Sequence, residues 1–194
     1  ARNAGIKIAK GDYICFLDDD DIWNEYKIQK QVEWFEIKQK MDSNIGLIFT
    51  YANIIDENQK NLGRYGYKVD GNIFTKILNG NIISPTSSVM IKKEVLENVG
   101  VFNEDFKCAE DLELWYRITN KYSVYSITEF LVDYRVRSNS LSKNIENLDY
   151  FSELALLNVF GNEKENKYII ENKNKILLQF YTNIAYAYFS SNNA

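Results

Sequence analysis

The chain has 194 residues, of which 45% are hydrophobic and 26% charged, and its formal net charge is −4 at pH 7. This is an ordinary globular composition, so it excludes a disordered or collagen-like chain. The acidic balance and the lack of a basic block argue against a nucleic-acid partner. Histidine is absent, which excludes Ser-His-Asp and Cys-His nucleophile systems, histidine general bases and His-ligated zinc.

The two cysteines, Cys15 and Cys108, are too few for a four-cysteine metal site. We expect both to be reduced thiols in a reducing compartment. Any acid–base chemistry must then come from carboxylates, Lys, Tyr or Cys, and any bound metal must be a hard cation held by oxygen. No apolar run in the sequence approaches the roughly 20 residues that span a bilayer.

Helices and strands alternate through the first half of the sequence. The hydrophobic spacing predicts a helix that turns Ile28, Val32 and Phe35 towards the core. This helix lies within 24–40. The other elements predicted in this part of the chain are a helix over 1–10, a strand over 12–17, a strand over 46–55, a loop or hairpin over 56–68 and a short helix over 74–78.

The same alternation continues before giving way to helix alone. Trp115 is predicted to be core, and Gly100 to end a helix. The predicted elements are a strand over 87–91, helices over 92–100 and 110–119, strands over 122–127 and 129–136, and helix from Leu148 onward, with Phe151, Leu154, Ala155, Leu157 and Val159 inward. The alternation predicts the α/β class, with a core over 1–143 and a helical extension over 144–194.

Four consecutive aspartates, residues 18–21, follow the predicted strand over 12–17. In open α/β sheets, ligands bind in the crevice outside the carboxyl ends of the strands. Carboxylates there can hold Mg²⁺ or Mn²⁺, which in turn holds phosphate oxygens. Alternatively, Asp20 or Asp21 caps a helix that begins near Ile22. We assign Asp21 to the cap and keep Asp18 and Asp20 for function.

Two other motifs also contain aspartates in a spacing like that of residues 18–21. An EF-hand loop starting at Asp18 requires Gly at its sixth position and an acid at its twelfth, where this sequence has Trp23 and Gln29. That possibility therefore fails. A phosphatase of the haloacid-dehalogenase type also places Asp-x-Asp after a strand, but it carries Thr where this chain has Ile22. That alternative is disfavoured.

Six motifs occur in a characteristic order within residues 1–142: ARNAGI at 1–6, FLDDDDIW at 16–23, SVMI at 88–91, EVLENVGVFNE at 94–104, EDLELWYR at 110–117, and YRV at 134–136 leading to Ser140 and Ser142. In this order and spacing they resemble the family 2 glycosyltransferases. The resemblance implies the GT-A fold, a Rossmann-like mixed sheet flanked by helices. It also implies a nucleotide-sugar donor and a divalent metal, Mn²⁺ or Mg²⁺.

The resemblance assigns roles to the acidic residues. Asp18, Asp19 and Asp20 look like the family's DXD motif, with Asp18 near the ribose and the metal, and Asp20 on the metal that bridges the diphosphate. Asp111 resembles the catalytic base of an inverting transfer, with Glu110 beside it. Acids in the first turn of a helix are also favoured by its dipole, by about 0.3–1 kcal/mol. The helix dipole alone therefore accounts for the presence of Glu110 and Asp111 at this position, without a catalytic role.

Two arginines are further candidates for nucleotide binding. Arg2 lies in the first motif, and Arg137 stands where many relatives have His. An arginine does not ligate a metal, but it can pair with a diphosphate bidentately. The alternative for Arg137 is a solvated surface side chain.

The family's N-terminal portion, which carries the nucleobase pocket, has no counterpart here, so we expect an N-terminally truncated core. The remaining sheet is then expected to expose a long apolar edge. A partner chain, a second copy or a swapped element would cover it. The resemblance predicts an inverting glycosyltransferase of cell-surface polysaccharide or glycolipid synthesis. It would be cytoplasmic and act on a carbohydrate or lipid-linked acceptor, in peripheral contact with the inner membrane face. The alternative is a non-catalytic module that uses residues 148–193 as an interaction surface.

Overall fold

The computed structural model describes residues 1–137, 145–162, 164 and 166–191. The helices are α1 (Arg2–Ile8), α2 (Lys27–Gln39), α3 (Phe74–Ile77), α4 (Lys93–Val99), α5 (Glu110–Lys121), α6 (Ile145–Asn162) and α7 (Lys167–Ser191). The strands are β1 (Tyr13–Cys15), β2 (Ile22–Trp23), β3 (Ile45–Ile55), β4 (Asn61–Tyr65), β5 (Asp70–Gly71), β6 (Val89–Lys92) and β7 (Ser123–Arg135).

The strands form one mixed sheet in the order β1-β6-β3-β7-β2, with β4 added to β3 and β5 added to β7. The central pair, β3 and β7, is parallel, whereas the other pairs are antiparallel. Strand β3 is covered on both faces, because Leu47 and Phe49 join the main core while Ile45 and Ile48 join a smaller core beneath α2. Its continuous apolar sequence is the pattern expected of such a strand. The predicted α/β class and mixed sheet are confirmed.

Strand β7 is a single strand of 13 residues, not the two strands predicted over 122–127 and 129–136. Its pairing with β3 is irregular at this point: Thr50 pairs with Ile127, but Tyr51 pairs with Phe130. The two intervening residues are exposed. A bulge absorbs the extra residues without ending the strand, so the polar interruption in the sequence was mistaken for a turn.

The predicted helix near Ile22 was also wrong. Residues Ile22–Trp23 form β2 and pair with β7, and the helix begins only at Lys27. Neither Asp20 nor Asp21 caps it. Instead, Asp21 Oδ1 accepts a hydrogen bond of 2.9 Å from the backbone N–H of Arg135.

The buried face of α2 is unexpectedly polar: it consists of Lys27, Gln31 and Phe35. Of the three predicted core residues only Phe35 is fully buried, whereas Ile28 is 39% exposed. Lys27 Nζ donates to Gln31 Oε1 at 2.7 Å and lies 4.3 Å from the centre of the Trp23 ring. Gln31 Nε2 donates to two backbone carbonyls, that of Ile48 in β3 at 3.1 Å and that of Ser88, just before β6, at 2.9 Å. These partners make the polar burial tolerable.

Helix α6 packs onto α5, helix α7 packs onto α6, and both helices share the main core. They contribute Phe151, Ala155, Leu156, Phe160, Ile169, Ile176 and Phe180. Leu157, predicted to point inward, is 45% exposed. The predicted boundary at 143/144 touches residues outside the described ranges, so the division into two units stays a prediction. None of the described helices combines the length and apolarity needed to cross a membrane.

The free edge of the sheet at β1 is shorter than expected. The predicted strand over 12–17 is reduced to Tyr13–Cys15, which pairs with β6. Tyr13 and Cys15 are half-buried, and Ile14 between them is buried. Short edge strands limit edge-to-edge association.

We expect Gln31→Ala to lower the free energy of unfolding by about 1–3 kcal/mol, because it removes a hydrogen-bond partner from a buried ammonium group and from two backbone carbonyls. Urea denaturation of the purified chain measures the change. Gln29→Ala on the same helix is the matched control, since Gln29 is exposed and bonds only Glu33. Equal effects of the two substitutions would contradict the assigned role of Gln31.

Candidate active site

A pocket of about 760 Å³ lies where the loop after β1 meets the start of α5. All seven residues predicted for the site line it: Arg2, Asp18, Asp19, Asp20, Glu110, Asp111 and Arg137. Residues 79–86, the end of β7 and helices α6 and α7 complete the wall. Ser140 and Ser142, which belong to the last sequence motif, lie outside the described residues.

The acidic loop is fixed from behind by a buried serine. The backbone N–H of Asp18 donates to Ser87 Oγ at 3.1 Å, and Trp23 Nε1 donates to the carbonyl of Ser87 at 2.7 Å. The loop closes on itself through a 3.2 Å bond from Asp21 N–H to the carbonyl of Asp18. Ser87 therefore sets the position of both ends of the loop. The sequence did not identify this role, since a serine before a strand carries no distinctive signal.

Arginines neutralise the carboxylates of this loop. Arg2 Nη2 lies 2.8 Å from Asp18 Oδ1, and its Nη1 lies 2.5 Å from Glu110 Oε1. Arg137 Nε lies 2.9 Å from Asp20 Oδ2. Arg135, which sequence reasoning missed, donates from Nε to the carbonyl of Asp20 at 2.9 Å. Arg137 therefore belongs to the pocket rather than to an unrelated surface.

Asp111 has a different environment from the loop carboxylates. The residue before α5, Ala109, has left-handed backbone angles (φ 54°, ψ 18°), and α5 begins directly after it at Glu110. Asp111 Oδ1 accepts a 2.7 Å bond from the N–H of Leu112, and its Oδ2 accepts a 3.4 Å bond from Thr86 Oγ1. The helix-start contact expected from the dipole is thus present, and the same carboxylate also lines the pocket.

Burial, together with the neighbouring negative charge of Glu110, raises the pKa of Asp111 to about 6, whereas the positive charge of Arg2 opposes the shift. A carboxyl group in this range is mostly ionised at neutral pH yet more basic than an ordinary aspartate. The environment therefore suits it to accept a proton.

The described residues contain no group of three or more His, Cys, Asp or Glu side chains that could hold a metal ion. Asp18 and Asp20 nevertheless suit a hard divalent cation. Mg²⁺ is commonly held by one or two carboxylates, with waters and substrate phosphates as its remaining ligands. The donor set thus fits a cation that arrives with a phosphorylated substrate.

The sheet and its flanking helices resemble solved GT-A structures. The crystal structure of Staphylococcus aureus TarS matches 82% of this chain and 26% of that chain, with a TM-score of 0.57 at 14% identity. The crystal structure of TarS 1–349 matches 92% of this chain and 58% of that chain, with a TM-score of 0.53 at 14% identity. At this identity the likeness shows the fold alone, and it confirms the GT-A prediction.

The family model described as "Glycosyltransferase like family 2" matches residues 1–183, and the chain belongs to that family. Among curated relatives, an uncharacterized glycosyltransferase of Methanocaldococcus jannaschii, MJ1057, is 31% identical over 172 residues, which are 84% of this chain and 56% of the relative. The Escherichia coli UDP-Glc:alpha-D-GlcNAc-diphosphoundecaprenol beta-1,3-glucosyltransferase WfaP is 33% identical over 149 residues, 74% of this chain and 53% of the relative. The chain thus spans about half the length of these two relatives. Family membership disfavours the phosphatase alternative.

We expect Arg2→Ala to raise the pKa of Asp111 further above its ordinary value, because the substitution removes a positive charge that opposes the shift. Carbon-13 NMR titration of the aspartate carboxyl groups measures it. Lys7→Ala is the control, since it removes the same charge from α1 at an exposed position that does not line the pocket. An unchanged or lower pKa in Arg2→Ala would show that the two groups are not coupled.

Proposed function

We propose that this chain carries the catalytic centre of an inverting glycosyltransferase, which moves a sugar from a nucleotide-sugar donor to an acceptor hydroxyl. The observation that carries the proposal is the contrast within one pocket. Two carboxylates paired with arginines, Asp18 and Asp20, suit a cation and a diphosphate, while Asp111, whose pKa is raised to about 6, suits a base. Such differences in environment are how carboxylates acquire separate roles in one site.

On the donor side, Asp18 and Asp20 would hold Mn²⁺ or Mg²⁺, and Asp19 lies between them. When bound, the cation supplies Lewis-acid stabilisation to the departing nucleoside diphosphate. Arg2 and Arg137 are near enough to their carboxylates to turn towards a diphosphate, and a guanidinium group matches phosphate oxygens bidentately. These four side chains therefore bind and orient the leaving group.

On the acceptor side, Asp111 accepts the proton of the attacking hydroxyl. The hydroxyl oxygen forms a bond to the anomeric carbon while the bond from that carbon to the diphosphate oxygen breaks. Attack from the face opposite the leaving group inverts the configuration. Glu110, held by Arg2, keeps a negative charge beside Asp111 and so supports its basicity.

The relatives support the proposed substrate class. The name of the E. coli relative specifies a UDP-linked donor and a sugar carried on diphosphoundecaprenol. We extend this to a nucleotide-linked sugar and a carbohydrate or lipid-linked acceptor in polysaccharide or glycolipid synthesis. Contact with a membrane surface and a partner chain at the sheet edge stay predictions.

We expect UDP or GDP to bind this chain in a Mn²⁺-dependent, saturable manner, and Asp20→Ala to abolish that dependence, because it removes a carboxylate of the proposed cation site. Titration calorimetry with and without Mn²⁺ measures both. Asp12→Ala is the matched control: it removes an exposed aspartate before β1 that does not line the pocket. Absence of binding by the parent chain would rule out a working donor site in these 194 residues.

We expect Asp111→Asn to slow release of nucleoside diphosphate from a nucleotide sugar by about 10²–10⁴-fold, the usual contribution of a general base. Donor affinity should stay within about threefold, since bound donor does not require this proton acceptor. The parent rate should rise as the pH increases through about 6, where Asp111 loses its proton. Asp105→Asn, in an exposed loop, is the control. A fully active Asp111→Asn, or a parent rate independent of pH, would exclude Asp111 as the base.

A further inference from the structure

One wall of the pocket comes from the C-terminal helices. Six residues of α6 and α7 line it: Leu148, Asp149, Ser152, Phe180, Asn183 and Ile184. The wall combines aliphatic and aromatic surface with a carboxylate, a hydroxyl and an amide. These residues share the cavity with Asp111. The roles proposed above for Asp18, Asp20 and Asp111 leave the wall unexplained.

Side-chain contacts fix this wall against the core. Asn183 Nδ2 donates to the carbonyl of Asn79 at 2.8 Å, and Asn183 Oδ1 accepts from Gln179 Nε2 at 2.9 Å. Phe180 is packed in the main core and still borders the pocket. The wall is thus a built surface whose aromatic ring and amide are held in place before any ligand arrives. Such preorganisation reduces the entropic cost of binding.

Asp149 provides an independent indication of a ligand. Its Oδ2 is shielded from solvent and accepts no hydrogen bond from the described residues. The Tyr188 hydroxyl bonds the carboxylate, and burial raises the pKa of Asp149. A buried acceptor without a donor is costly. Asp149 lines the cavity, and the torsion about the Cβ–Cγ bond of an aspartate is soft, so its carboxylate can turn towards a ligand there. A hydroxyl-bearing ligand would supply the missing donor.

The charges of the pocket favour a neutral ligand on this side. Six carboxylates line the cavity, against three arginines and Lys107. Arg2 and Arg137 are already paired with Asp18 and Asp20. An anionic group beside Asp149 and Asp111 would meet like charges. An alkyl chain would cover the Asp149 carboxylate and the Asn183 amide without bonding them, which is unfavourable.

We propose that the α6–α7 wall is an acceptor subsite for a neutral sugar ring. The ring packs its C–H face against Phe180, and its hydroxyls donate to Asp149 and accept from Asn183. This inference rests on the proposed glycosyl transfer, and it assigns to the helical extension the selection of the acceptor sugar. The extension is then a specificity element of the catalytic site.

Two neutral sugars, methyl β-D-glucopyranoside and methyl N-acetyl-β-D-glucosaminide, are the probes. Amide NMR titration of the full chain should show saturable shifts centred on α6 and α7. Asp149→Asn and Phe180→Leu should each weaken this binding by about tenfold, as expected for loss of a charged hydrogen bond or of an aromatic contact. Thermal melting verifies that each variant is folded. If Phe180→Leu is not folded, the result for Asp149→Asn alone decides the test.

Matched controls lie on the same helices. Glu153→Gln and Phe189→Leu make the same kinds of change, acid to amide and aromatic to aliphatic, at positions that do not line the pocket, and both variants should bind the glycosides within about twofold of the parent. Mn²⁺-dependent UDP binding, measured in parallel, should be unchanged in all four variants. This second readout separates loss of the acceptor subsite from loss of the donor site.

The outcomes distinguish the two proposals. UDP binding without glycoside shifts at α6 and α7 overturns the subsite and leaves the transferase proposal standing. Glycoside binding that needs Asp149, without UDP binding, supports the subsite and counts against a donor site in this chain. Stronger shifts at this wall with methyl β-D-glucuronide or with 1-octanol overturn the neutral-sugar assignment, as does the absence of any binding.

Discussion

The pocket depends on one guanidinium group. Arg2 bridges Asp18, which follows β1, and Glu110, which begins α5, two residues 92 positions apart in the sequence. Without a cation between them, these carboxylates and Asp111 would repel one another in a partly desolvated cavity. Because α1 supplies the bridging charge and its Asn3 side chain also bonds the backbone of Phe102 at 2.9 Å, the helix ties the acidic loop to the segment before α5. Arg2 therefore holds Asp18 and Glu110 together across the pocket.

A second constraint acts from beneath the loop. Trp23 bonds the carbonyl of Ser87 and covers the ammonium of Lys27, and Lys27 in turn bonds Gln31. Gln31 reaches the carbonyls of Ile48 and Ser88, in the sheet and beside it. A buried polar group that loses its partner is costly. The chain of contacts thus links the position of the acidic loop to the register of β3 against β6, and small shifts in the loop would leave buried groups unpaired.

The sequence predicted those features that depend on local pattern. Strand β3 was found from its apolar run, α5 from the periodicity around Trp115, and the acidic residues of the pocket from their motifs. Features set by contacts distant in sequence were missed or wrong. Asp21 looks like a helix cap until Arg135 is brought to it across the sheet, and the polar face of α2 is intelligible only with Ser88 and Ile48 in place. Likewise, the periodicity of α6 and α7 predicts helices, but which residues border the pocket depends on how the helices dock.

The pocket divides its carboxylates by environment rather than by residue type. Asp18 and Asp20 form ion pairs with the guanidinium groups of Arg2 and Arg137, which stabilise their negative charges. Another positive group could replace either guanidinium group. Asp111 is partly buried beside the negative Glu110, and burial together with that charge raises its pKa to about 6. Arg2 takes part in both environments, since it pairs with Asp18 and limits the shift at Asp111. A rearrangement of this guanidinium towards a bound diphosphate would weaken its hold on Glu110 and change the proton affinity of Asp111. A donor that drew Arg2 away from Glu110 would therefore also change the pKa of Asp111.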